Sequence, residues 1–124
     1  MTLAGQLLTL AAQTLGKTEG VMVGRWPRTA AVLGRQAIEA SLADYWGVTE
    51  PSIAGVSNRA QFLSLPVYLG DDDLAGRVRQ AWASLSRASH YRSYELAPTE
   101  SELRVWLGTA KTFYNHIVSL HSTD

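Results

Sequence analysis

The sequence predicts an all-α protein, an up-and-down bundle of four long helices and one short helix. Apolar residues recur at helical spacing over four long stretches, which indicates that each stretch buries one face. No stretch shows the sustained alternation of apolar and polar residues that is typical of a strand. The 124 residues are 46% hydrophobic, which is enough for one core, so we expect a single domain over residues 1–124.

The first two long helices are separated by a glycine-containing loop. The first is predicted within residues 1–16, where leucines fall largely on one face and Gly16 ends the pattern. Residues 17–25 then form the loop. The second helix is predicted over residues 28–46, because Pro27 fits a helical first turn and Gly47 ends the apolar stripe.

A short apolar segment follows the second long helix. Residues 57–65 are predicted to form a short helix. Pro66 lacks an N–H group, so we expect it to stop this helix. The residues from there to Gly70 are then expected to form an irregular connection.

Two further long helices have clear starting signals. Aspartates 71–73 indicate a helix start, because carboxylates cap free N–H groups and oppose the positive end of the helix dipole. This third long helix is expected to end near His90. Thr99 and Glu102 have the spacing of a capping box, which predicts the start of a fourth helix extending to Leu120.

The composition narrows the function classes. Eleven basic and eleven acidic residues cancel, so only a local basic cluster can attract nucleic acid. The chain has no cysteine, which excludes disulfides, thiolate metal sites and cysteine nucleophiles and favours a cytoplasmic location. No stretch approaches the roughly 18 consecutive apolar residues of a membrane span. We therefore expect no membrane partner.

Motifs for metal, cofactor and nucleophilic chemistry are absent from the sequence. The three histidines do not have zinc-ligand spacing, and there is no glycine-rich phosphate loop or GxSxG elbow. Aspartates 71–73 are able to bind a metal, but helix capping is the favoured interpretation. We expect neither a metal nor a cofactor.

The strongest functional signal is the segment 86–94, Ser-Arg-Ala-Ser-His-Tyr-Arg-Ser-Tyr. Arg87 and His90 are three residues apart and share a face at the end of the third long helix. The negative end of the helix dipole favours the charged form of such a histidine. The helix and its exit are locally basic, with Arg77, Arg79, Arg87 and Arg92.

Arginine and histidine together are able to cleave an RNA phosphodiester without a metal. The guanidinium group of arginine can donate two parallel hydrogen bonds to a phosphate, and histidine can accept or donate a proton near neutral pH. One group assists attack by the ribose 2′-hydroxyl or protonates the leaving oxygen, and the other stabilises the charged phosphorane. The alternative interpretation is structural, since Arg87 and His90 in a last turn can simply satisfy free carbonyls and the dipole.

The layout of the second half resembles the HEPN superfamily of small helical bundles, many of which are ribonucleases. A long helix, residues 73–89, ends in the Arg/His segment, a polar bend follows over residues 91–97, and the next helix opens with Pro-Thr-Glu-Ser-Glu-Leu at 98–103. Residues 36–40 also look like the second HEPN helix. The likeness covers about residues 26–120. The motif itself is short, with two residues between Arg87 and His90 where the family usually has four to six.

The resemblance implies a metal-independent endoribonuclease of toxin or phage-defence type that acts as a homodimer. Arg87 and His90 would be catalytic, and the substrate-binding residues would be Arg79, Tyr91, Arg92 and Tyr94. The implied partners are RNA, a second copy of the chain, and a cognate antitoxin or nucleotidyltransferase. One alternative is a non-catalytic helical module that binds a nucleotide, nucleic acid or partner protein. Another is an interaction protein with no role in nucleic-acid chemistry.

Overall fold

The computed structural model describes residues 2–16, 25–91 and 96–121. These residues form α1 (Leu3–Thr14), α2 (Trp26–Thr49), a 3-10 turn (Pro51–Ile53), α3 (Asn58–Leu69), α4 (Asp72–Ala88) and α5 (Glu100–His121), and none of them lies in a strand. The predicted all-α bundle is confirmed. Because α1 and α3 have 12 residues each, the bundle has three long helices and two shorter ones. None of these helices is long and apolar enough to cross a membrane.

The end of α3 differs from the prediction. Pro66 does not stop the helix, which continues to Leu69, so the expected irregular connection is wrong. Proline inside a helix costs about 3 kcal/mol. Residues beyond the proline help to offset this cost. Leu69 packs against the core, and the ring of Tyr68 lies edge-on to buried Trp46 with centroids 5.3 Å apart. The helix ends at Gly70, where a φ of 69° suits glycine and the N–H donates to the Pro66 carbonyl.

The starts of α4 and α5 confirm the predicted caps. The carboxylate of Asp71 accepts a hydrogen bond from the N–H of Leu74 at 3.0 Å. The hydroxyl of Thr99 accepts from the N–H of Glu102, and the carboxylate of Glu102 accepts from the N–H of Thr99, both at 3.0 Å. These bonds satisfy N–H groups that have no partner within the helix, and they fix where each helix begins.

The central helix is α2, which packs against each of the other four helices. Its first half contributes small buried residues, and its second half contributes large ones, including fully buried Trp46. Residues of α3, α4 and α5 form one apolar core around α2. Leu8 of α1 and Leu15, which follows α1, pack at the margin of this core. The buried residues of α2 are Pro27, Ala30, Ala31, Gly34, Ala37, Ile38, Ser41, Leu42, Tyr45 and Trp46.

At Gly34, leucine side chains from α4 and α5 lie directly against the backbone of α2. A Cβ atom added there would lie 2.5 Å from Cδ2 of Leu107 on α5 and 3.2 Å from Cδ1 of Leu85 on α4. Glycine weakens an isolated helix by about 1 kcal/mol relative to alanine. Here it is accommodated because two leucines from different helices close over its backbone.

Glu39 links three helices through one oxygen atom. Its Oε2 accepts hydrogen bonds from Nε1 of Trp82 on α4 at 3.0 Å and from Nδ2 of Asn58 on α3 at 3.3 Å. Nε of Arg35 lies 4.0 Å from the same oxygen. The carboxylate therefore fixes α3 and α4 against α2 at a partly buried position.

We expect Gly34→Val to lower the free energy of unfolding by about 1–3 kcal/mol, because the added methyl groups overpack Leu85 and Leu107. Urea denaturation followed by circular dichroism measures this change. The control is Gly76→Val, since a Cβ at Gly76 on exposed α4 surface has no neighbour within 4 Å. An equal effect of both substitutions would contradict the close packing at Gly34.

We expect Glu39→Ala to lower the free energy of unfolding by about 1–2 kcal/mol, because the donors of Trp82 and Asn58 lose their acceptor. Glu39→Gln keeps a carbonyl acceptor and should lose less. Urea denaturation followed by tryptophan fluorescence distinguishes the two variants. Asp44→Ala, an exposed carboxylate on the same helix, is the control and should change little. Equal losses for the glutamine and alanine variants at position 39 would argue against the hydrogen-bonded link.

Candidate functional site

The bend after α4 is closed by a serine. Ser89 is buried, and both its Oγ and its N–H donate to the carbonyl of Leu85, at 2.7 and 2.9 Å. The N–H of His90 then donates to the carbonyl of Arg87 at 3.1 Å. These bonds satisfy carbonyls of the last turn and hold Arg87 and His90 at the end of the bundle.

Arg87 and His90 are both exposed to solvent. Nη2 of Arg87 donates to the hydroxyl of Ser84 at 3.3 Å, not to a terminal carbonyl of the helix. Over the described ranges, no carboxylate lies within 4.0 Å of the charged nitrogens of either residue. Both side chains therefore keep hydrogen-bonding capacity for a ligand.

Arg28 is a further residue of this site that the sequence alone did not reveal. From the first turn of α2, its Nη2 donates to the carbonyl of Tyr91, and its guanidinium lies 4.8 Å from the centre of the Tyr91 ring. The two residues are 63 positions apart, and no local pattern connects them. We call Arg28, Arg87, His90 and Tyr91 the basic bend.

Of the remaining predicted site residues, the structure describes Arg79, which does not lie at the basic bend. Arg79 is exposed on α4 two turns before Arg87, which places it about 12 Å away along the helix axis. It lines a separate shallow groove of about 310 Å³ with Arg59 and Trp82. Arg92 and Tyr94 lie outside the described residues.

The start of α2 adds positive charge to the basic bend. The first turn of α2 contains no acidic residue, and the side chain of Arg25 at its N-cap makes no capping hydrogen bond. The positive end of the α2 dipole therefore lies beside Tyr91, together with the guanidinium of Arg28. Guanidinium donors suit phosphate oxygens, and the exposed imidazole of His90 supplies a group for proton transfer.

No protein-family model, curated protein or solved structure matches the chain.

We expect Arg28→Ala to loosen the bend. The carbonyl of Tyr91 would lose the hydrogen bond that it accepts from Arg28, and the Tyr91 ring would lose the cation above it. Amide hydrogen exchange at His90, whose N–H donates to the Arg87 carbonyl, should become about threefold to fivefold faster, as expected for the loss of roughly 0.5–1 kcal/mol.

Arg25→Ala is the matched control, since this neighbouring arginine is exposed and its side chain makes no capping bond. Its exchange rates at the bend should stay close to those of the unmodified protein. If the two variants exchange equally at His90, Arg28 does not hold the bend.

Proposed function

We propose that the protein binds RNA at the basic bend and cleaves it without a metal ion, as its resemblance to HEPN ribonucleases implies. One observation carries the proposal. Arg87 and His90 lie at the same helix end, both exposed, with no carboxylate of the described chain paired to either. A guanidinium that can donate hydrogen bonds to a phosphate and an imidazole that can transfer a proton are therefore both accessible to an RNA phosphodiester.

In the proposed reaction the ribose 2′-oxygen attacks the adjacent phosphorus. Neutral His90 accepts the 2′-hydroxyl proton as the new P–O bond forms. The bond from phosphorus to the 5′-oxygen breaks, and that oxygen takes a proton, so the products are a 2′,3′-cyclic phosphate and a 5′-hydroxyl. Arg87 donates to the non-bridging oxygens, where charge accumulates in the transition state.

The proposed reaction needs both a base and an acid, and the bend of one chain supplies one histidine. A homodimer with two facing bends would supply His90 from one copy as base and the second His90 as acid. Leu96, which follows the bend in the chain, is 97% exposed, and a second copy would remove it from water. A toxin or phage-defence enzyme in the cytoplasm, restrained by a cognate antitoxin or nucleotidyltransferase, is the biological setting that the resemblance implies.

The alternative candidate is a non-catalytic module that binds a nucleotide, nucleic acid or partner protein at the same surface. The contacts of Arg28 with Tyr91 favour this non-catalytic module, because they give one arginine of the bend a structural role in place of a catalytic one. Binding of a phosphate needs donors only, and it makes no demand on the relative position of Arg87 and His90.

Incubation of the purified protein with total RNA in the presence of EDTA tests the proposed cleavage. We expect EDTA-resistant cleavage that leaves 2′,3′-cyclic phosphate ends. His90→Ala should reduce the rate by about 100-fold or more, the usual contribution of a general acid or base. Arg87→Ala should also reduce it strongly. Arg77→Ala is the control, because this exposed arginine pairs with Asp73 at the start of α4.

Three outcomes separate the two candidates. Cleavage lost in both bend variants and retained in Arg77→Ala supports the nuclease. Salt-sensitive RNA or nucleotide binding without cleavage, weakened by Arg87→Ala, supports the non-catalytic module and overturns the nuclease. The absence of both cleavage and binding overturns both candidates.

A further inference from the structure

A groove runs between the two antiparallel helices α1 and α5, and it shares no residue with the basic bend. The N-terminal end of α1 lies beside Tyr114, whose hydroxyl accepts a hydrogen bond from Thr2 at 3.4 Å. The helix packs more extensively on α2 than on α5, so a space of about 560 Å³ stays open on the α5 side. This volume is within the roughly 300–1,000 Å³ that is typical of small-molecule sites.

The floor and one wall of the groove are apolar. Leu8 and Ala12 of α1 line it opposite Leu107 of α5. Gly108 widens it at the centre, because a Cβ atom added there would meet no atom within 4 Å. An apolar body can therefore lie along α5 without displacing a side chain.

The charged groups of the groove all have the same sign. Arg104 and Lys111 line it, and none of its described lining residues is an aspartate or glutamate. Nε of Arg104 donates to Glu100 at 2.9 Å, whereas Lys111 has no carboxylate within 4.0 Å among the described residues. The two cations are seven residues apart on α5, which separates them by about 10 Å along the axis.

We propose that this groove binds a small anionic amphiphile, with its apolar body between α1 and α5 and its carboxylate, sulfonate or phosphate group at Lys111. The apolar lining accounts for the body, and Lys111, which has no carboxylate partner among the described residues, accounts for the sign of the head group. Binding requires no covalent step, and it does not depend on the proposed nuclease.

The probe is 1-anilinonaphthalene-8-sulfonate, an aromatic sulfonate that fluoresces when it leaves water. Titration at neutral pH should show one saturable site per chain. Decanoate should displace the probe at a concentration about fivefold lower than decanol, because only the acid has a charge to pair with Lys111. In ¹H–¹⁵N spectra, decanoate should shift amides of residues 5–13 and 104–114.

Two variants test the two halves of the site. Lys111→Gln should remove the preference for decanoate over decanol and leave decanol binding unchanged. Gly108→Leu should fill the groove and weaken probe and decanoate binding by more than tenfold. Gly76→Leu is its matched control, since Gly76 also faces open space but lies on α4 outside the groove. Near-UV circular dichroism verifies that each variant is folded.

Several results would overturn the proposal. They are the absence of saturable probe binding, equal displacement by decanoate and decanol, and unchanged binding in folded Gly108→Leu. Sedimentation tests a second copy as the occupant: a dimer that Gly108→Leu converts to a monomer would make the groove a protein interface. If Gly108→Leu does not fold, the comparison of decanoate and decanol binding in Lys111→Gln still tests the proposal.

Discussion

Burial of one face of α2 is the constraint on which the rest of the structure depends. This helix contacts every other helix, and its inner face changes from small residues in the first half to large aromatic and aliphatic residues in the second. At Gly34 the side chains of Leu85 on α4 and Leu107 on α5 close directly over the backbone of α2. Toward the C-terminal end, Trp46 is fully buried and lies edge-on to Tyr68 of α3, which joins the core through Phe62 and Leu65.

The same central helix positions the polar features of the molecule. Its first turn places Arg28 on Tyr91, which connects the start of α2 to the exit of α4. Its middle presents Glu39 to Trp82 and Asn58 at the junction with α3 and α4. The extensive packing of α1 on α2 leaves the groove beside α5 open. The basic bend and the groove are therefore both consequences of how the chain packs around one helix.

Charge in this protein is organised locally. Eleven basic and eleven acidic residues give no net charge, so there is no overall field to attract an anion. Several cations nevertheless have no carboxylate partner within the described chain, among them Arg87 at the bend and Lys111 in the groove. Other arginines are paired with a carboxylate within a helix, as Arg77 is with Asp73 and Arg104 with Glu100. Local pairing thus decides which cations are available to a ligand.

The sequence by itself determined the helical class and the starts of α4 and α5. Those features depend on contacts between residues three or four apart, such as the reciprocal bonds of Thr99 and Glu102. It also located Arg87 and His90 at a helix end, because the apolar stripe of α4 stops there.

The tertiary structure decided what depends on distant residues. The helix α3 continues through Pro66 to Leu69, where Tyr68 and Leu69 pack against residues that are distant in sequence and favour the helix against a local preference to stop. The tertiary structure added Arg28 to the bend across 63 positions and separated Arg79 from it, since only packing sets which helix ends meet.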